Sequence, residues 1–158
     1  IDAAGLVSMG ELNDSIPYGY IIMCGLETGY GYSGKSSRNF MIPWFRAEAG
    51  YMRYSKDDSS LTGFTVGAGP LWIYPVSADF RHNLRFAFEP GLSSLNIENG
   101  DESASTFTFT FHGMAGYDYS FDSVSLFVNF RYVYVYDRDV LFHSAGVSAG
   151  ISSRLWQP

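Results

Sequence analysis

The chain has a single cysteine, Cys24, so it closes no disulfide within itself and builds no cysteine-based metal site. It is also short of charge. Asp, Glu, Lys and Arg make up 16% of the residues, where soluble domains carry about a quarter. The lysines are only Lys35 and Lys56. A soluble all-β protein dresses its solvent face and strand edges with Lys and Glu, and that supply is missing. No apolar run approaches the roughly 18–20 residues of a membrane-crossing helix. No charged-then-apolar leader opens the sequence, so a signal segment, if one existed, is expected to be already gone. The net charge of -6 argues against nucleic acid as a main partner.

Aromatic residues, at 18%, are abundant, and they alternate. Between Thr106 and Tyr136 two runs of period two flank the turn Ser120–Ser123. Phe107, Phe109, Phe111, Ala115, Tyr117 and Tyr119 share one face, with Thr106, Thr108, Thr110, His112 and Asp118 on the other. In the second run Val124, Leu126, Val128, Phe130, Tyr132, Tyr134 and Tyr136 oppose Ser125, Asn129 and Arg131. This is the pattern of a long β-hairpin with one apolar and one polar face.

The same alternation predicts strands over Tyr18–Tyr32, Phe40–Tyr54, Thr62–Tyr74, Leu84–Leu95 and Leu141–Trp156, with an ambiguous first strand in Ile1–Gly10. Ser55–Ser60, Ser77–His82 and Asn96–Ser103 read as connections. Strands in soluble domains run about 5–6 residues, whereas crossing a bilayer takes about 9–11 tilted ones. An even meander with short connections closes into a barrel without edges. Residues 1–158 are therefore expected to form one domain: an all-β, eight-stranded antiparallel up-and-down transmembrane β-barrel. Pro43, Pro70 and Pro90 fall on the apolar face and require bulges or local defects, because proline breaks a ladder bond.

The alternation fits two inversions of one barrel. A soluble lipocalin-like carrier turns the apolar face inward around a ligand, and a membrane barrel turns it outward to lipid. Aromatics at the ends of the apolar faces, such as Tyr18, Tyr20, Tyr30, Tyr32, Trp72, Tyr74, Tyr134 and Tyr136, would make an interfacial girdle. The opposite faces are rich in glycine and poor in lysine, which suits a narrow interior. With this pattern, and with the closing run Val147–Trp156, the chain resembles the small eight-stranded outer-membrane barrels of the OmpA transmembrane-domain and OmpX type. It departs from them in ending with Gln157 and Pro158 after the aromatic. The resemblance implies a bacterial outer-membrane location, membrane lipid and lipopolysaccharide around the wall, and barrel-assembly machinery during biogenesis. It also implies a structural or interaction role, with a protein partner in the envelope, and no cofactor.

Hairpins symmetric about their turns would align Gly25, Arg46, Gly69, Glu89, His112, Arg131 and Gly146 in one interior row. Glu89 would then lie between Arg46 and Arg131, with Glu48, Arg85 and Glu27 close by. Such a network reads first as buried charges paired for stability; the resemblance adds the reading of a plug or ion gate. Alternate connections share a rim. One rim carries Glu11, Asp14, Asp57, Asp58, Glu98, Asp101, Glu102, Asp137 and Asp139, against Lys56 and Arg138. The other carries Lys35, Arg38 and Arg81 against Asp79 and Asp122. With a periplasmic N-terminus the acidic rim faces out of the cell, where it reads first as a solvated loop end and second as a surface that divalent cations bridge to anionic glycolipid; its acidic pairs match no calcium-loop spacing.

Catalysis needs a nucleophile, a base and an orienting group within reach of one another. No Gly-x-Ser-x-Gly elbow occurs. The resemblance admits lipid-modifying enzymes, and His143 near Asp137 or Asp139 is the best candidate for such chemistry. His143 and Ser144, however, are adjacent and so point to opposite faces of a strand. The sequence is read as non-enzymatic.

Overall fold

A computed structural model describes residues 1–10, 16–28, 44–100, 102–121, 123–136 and 141–153. They form a closed barrel of eight antiparallel strands in sequence order: β1 (Asp2–Gly10), β2 (Tyr18–Thr28), β3 (Trp44–Lys56), β4 (Ser59–Pro75), β5 (His82–Asn99), β6 (Glu102–Phe121), β7 (Val124–Tyr136) and β8 (Leu141–Ser153). The ambiguous first ten residues are a strand. β1 pairs with β2 on one side and β8 on the other and so closes the sheet.

The wall is apolar on the outside. Phe107 and Phe109 expose 70% and 62% of their surface, and Val128, Phe130, Phe64 and Val66 also point outward. Arg46 and Glu89, at 4% and 1%, are inside. A carrier would require the opposite arrangement.

A circuit through paired residues measures the stagger. It runs Trp44, Leu71, Ala87, Met114, Arg131, Gly146, Leu6, Gly19 and back to β3 at Tyr54, ten residues from its start. Such a shear accompanies strongly tilted strands and an interior that side chains can fill.

Several sequence expectations need correction. The connections expected at Ser55–Ser60 and Asn96–Ser103 are largely strand: β3 and β4 are separated only by Asp57 and Asp58, and β5 runs on to Asn99. Ladder bonds are indifferent to side-chain polarity, so pairing continues beyond the apolar band. Ser59 with Asn99 and Asn96 with Ser105 add side-chain hydrogen bonds of 3.0 Å there. The β6–β7 turn is also shorter than expected. Phe121 pairs with Val124, which moves that hairpin's register by two residues.

The prolines make no bulge. The β4–β5 register is the same above and below Pro70 and Pro90, from Gly67 opposite Gly91 to Leu71 opposite Ala87, and the pairing lapses only between those points. Pro43, Tyr30, Tyr32 and the closing residues 154–158 lie outside the described residues.

The interior is layered rather than uniformly polar. Toward the acidic end Leu6, Ile21, Met52, Leu61, Leu95 and Phe142 form an apolar plug with Tyr54. Tyr54 meets Phe142 edge-on at 4.9 Å, and its hydroxyl lies 2.7 Å from Ser144 Oγ. Leu71, Ala87 and Met114 form a smaller apolar cluster with Trp44 and Ile73. Charged groups lie among these layers.

Gly146 faces Arg131 and Leu6 across its two seams, and a Cβ there would collide with the carbonyl of Gly5. Gly5 itself has open space around that position. Gly146→Ala is therefore expected to destabilise the barrel by about 1–3 kcal/mol through overpacking, while Gly5→Ala leaves it nearly unchanged. Denaturant titration of the two variants checks this, and equal midpoints would contradict it.

Candidate functional site: a buried charge network

Glu48 is the hub. Its Oε1 accepts from Arg131 Nη1 at 2.7 Å and lies 2.8 Å from His112 Nδ1. Its Oε2 accepts from Arg46 Nη2 at 2.6 Å and from Arg131 Nη2 at 3.2 Å. Arg131 Nη2 also donates to Asp2 Oδ2 at 2.8 Å. Arg46 reaches Glu27 through Nη1 at 3.2 Å, and its Nε lies 2.8 Å from Glu89 Oε1 in an ion pair not aligned as a hydrogen bond. Arg85 donates to Glu27 and stacks over Phe127, 4.9 Å from the ring centre.

The strands position this set through their alternation. Arg46 and Glu48 are two apart on β3 and share its inner face, while Arg85 and Glu89, four apart, share that of β5. Gly69 stands opposite Arg46, and a Cβ there would run into the Phe88 carbonyl. Arginine suits such a place because its planar fork satisfies two carboxylates at once.

The structure thus buries Arg46, Glu48, Arg85, Glu89, His112 and Arg131 together, but not in the expected row. Gly25 pairs with Glu48 rather than Arg46, and His112 pairs with Val133 while Arg131 pairs with Met114. Glu48, not Glu89, touches both Arg46 and Arg131, and Glu89 touches Arg46. Asp2 was missed. Asp2, Ala4, Leu6 and Ser8 alternate inward, and that period was the available signal.

Two kinds of chemistry can be weighed here. Glu48, Glu89 and His112 bring donor atoms within 4.8 Å of one another. Arg46 and Arg131 already neutralise those carboxylates, so an entering cation would meet two guanidiniums. Thr65 Oγ1, 3.3 Å from His112 Nε2, completes a hydroxyl–imidazole–carboxylate order with Glu48. All three are buried in the lumen, with the apolar plug toward the acidic end. A nucleophile needs access to its substrate, and this one has none through that end.

Elsewhere, His143 points away from inward Ser144 and lies 3.1 Å from the Tyr132 hydroxyl, while His82 bonds the Tyr117 hydroxyl. At the acidic rim, Asp57 and Asp58 form the β3–β4 turn, and Glu98 and Glu102 sit on β5 and β6 rather than in a loop. Asp101, Asp137 and Asp139 lie outside the described residues, as do Glu11, Asp14, Lys35, Arg38, Asp122 and Arg138. At the opposite rim the Ser77 hydroxyl and the Arg81 backbone N–H hold the Asp79 carboxyl below the usual carboxylate range.

Removing Glu48 takes three hydrogen bonds from two buried guanidiniums, leaving Arg131 only Asp2, whereas removing Glu89 takes one unaligned ion pair and leaves Arg46 with Glu48 and Glu27. Glu48→Ala is expected to cost about 3–5 kcal/mol, the usual penalty for breaking a buried pair, and Glu89→Ala clearly less. Urea unfolding of both variants checks this. A larger loss for Glu89→Ala would contradict the assignment of the hub.

No family model and no curated protein matches the sequence. Solved structures do match it. Neisserial surface protein A (NspA) superposes with a TM-score of 0.67 at 16% identity, over 95% of this chain and 91% of that one. The outer membrane enzyme PagL gives 0.67 at 12%, over 98% and 100%. Ail, the attachment invasion locus protein of Yersinia pestis, gives 0.53 at 14%, over 95% and 94%. At these identities the likeness concerns the fold: the chain has the architecture of the small eight-stranded outer-membrane β-barrels.

Proposed function

We propose that the chain is an integral barrel of a bacterial outer membrane whose role is structural or interactive rather than catalytic. It stabilises the envelope, presents a small acidic surface outward and anchors a protein partner. The observation that carries this reading is the filled interior. An apolar plug lies toward the acidic end and a connected ion-pair network below it, so the lumen is built as a core and not as a path. The outer wall, covered by Phe, Val, Leu and Tyr, supports lipid as its surroundings. Its neighbours in the envelope would be membrane lipid, lipopolysaccharide and, during insertion, the barrel-assembly machinery, with no nucleic acid. The acidic rim, represented among the described residues by Asp57, Asp58, Glu98 and Glu102, is the surface on offer.

The likeness to PagL, an enzyme, keeps a lipid-modifying reading worth testing. In cells, the chain is expected to fractionate with the outer membrane and to resist extraction by salt and alkali. In planar bilayers the purified barrel is expected to pass no current. Recovery in the aqueous phase without detergent would favour a soluble carrier. A lipid A mass spectrum that changes with the chain, and reverts with His143→Ala, would replace this reading by an enzymatic one.

A further inference from the structure

The lapse between β4 and β5 coincides with a groove of about 440 Å³ on the outer wall. Val66, Ala68, Pro90, Leu92, Phe109 and Phe111 line it, and no charged side chain does. Its volume lies within the roughly 300–1,000 Å³ of small-ligand sites. It opens onto the apolar band, in the half nearer the acidic rim: on β6 it takes Phe109 and Phe111 rather than Tyr117 and Tyr119.

The backbone of the seam is incomplete in a definite way. The Phe88 carbonyl is aimed across at Gly69 on β4, and the Val66 carbonyl across at Gly91 on β5. Even-numbered residues therefore direct their ladder groups into this seam. The conserved register places Pro70 opposite Phe88 and Pro90 opposite Ala68. Neither proline has an N–H, so the carbonyls of Ala68 and Phe88 receive no ladder donor. In hydrocarbon, where water is absent, an unmet carbonyl is costly. Ala68 itself lines the groove.

We propose that this groove holds one hydroxylated acyl chain of the glycolipid in the leaflet at the acidic end, its hydroxyl donating to the Ala68 carbonyl. The inference rests on the membrane reading above and on the outward orientation of the acidic rim. Hydrocarbon is the occupant that the groove's continuity with the apolar band selects. The unmet carbonyl selects a chain that carries a donor over the plain acyl chain of a phospholipid.

The test is native mass spectrometry of the full chain in nanodiscs containing lipid A with hydroxylated chains, phosphatidylethanolamine of matched length, or both. The wild-type barrel is expected to retain one lipid A, about tenfold over the phospholipid, the scale of one hydrogen bond. Ala68→Trp fills the groove and is expected to abolish retention. Pro90→Val supplies the N–H missing opposite Ala68 and is expected to remove the preference for lipid A; because it restores a ladder bond, it also answers the question if the bulky tryptophan hampers folding. Equal retention of both lipids by the wild type, or unchanged retention in the two variants, overturns the proposal while leaving the membrane reading intact. A chain that stays in the aqueous phase without nanodisc or detergent removes the membrane reading itself.

Discussion

The constraint on which the structure depends is that a wall facing hydrocarbon must satisfy every polar group on its own. Side chains and backbone meet that demand differently. On the side-chain level, strand alternation sends Phe, Val and Tyr outward and collects Arg46, Arg85 and Arg131 inside, where they pair with carboxylates. Glu48 answers two of them at once and Glu27 answers two as well. The shared carboxylates make the interior a connected lattice rather than a set of isolated pairs. Such a lattice is worth little as net stabilisation compared with apolar packing, but it is expensive to break at any one point. The plug of Leu61, Leu95, Phe142 and Tyr54 serves the same end by shielding the lattice from the acidic mouth.

On the backbone level, closure through β1 removes every sheet edge. The β4–β5 seam is the place where this rule is relaxed. Pro70 and Pro90 share the parity that points into one seam, so their losses concentrate there while their other neighbours, Phe45 and Phe111, stay paired. The register survives because nothing is inserted. That distinguishes the defect from a bulge and explains why the barrel remains regular on both sides of it.

The architecture was legible in the sequence because a period of two is a strong signal when one face meets lipid. Phe107 to Phe111 and Val124 to Tyr136 could hardly be read otherwise. The interior register was less legible. It depends on turn lengths, and a one-residue shift in the centre of the β6–β7 turn moved Arg131 from His112 to Met114. Asp2 was hidden because the first strand is made of small residues whose alternation is faint. The apolar plug was overlooked because Ile21, Met23 and Leu95 lie on faces otherwise marked by glycine, serine and charge. The parity of the two prolines was present in the numbering but acquired meaning only with the carbonyl directions.

The most direct test of the account concerns which side of the wall meets lipid. Cys24, the lone cysteine, is exposed on the outer face of β2 and accepts a nitroxide label without mutation. In the bilayer-reconstituted barrel, the account predicts that the label collides far more often with dissolved oxygen, which concentrates in hydrocarbon, than with a water-soluble nickel complex. A label relaxed mainly by the nickel complex would place this face in water and contradict the account.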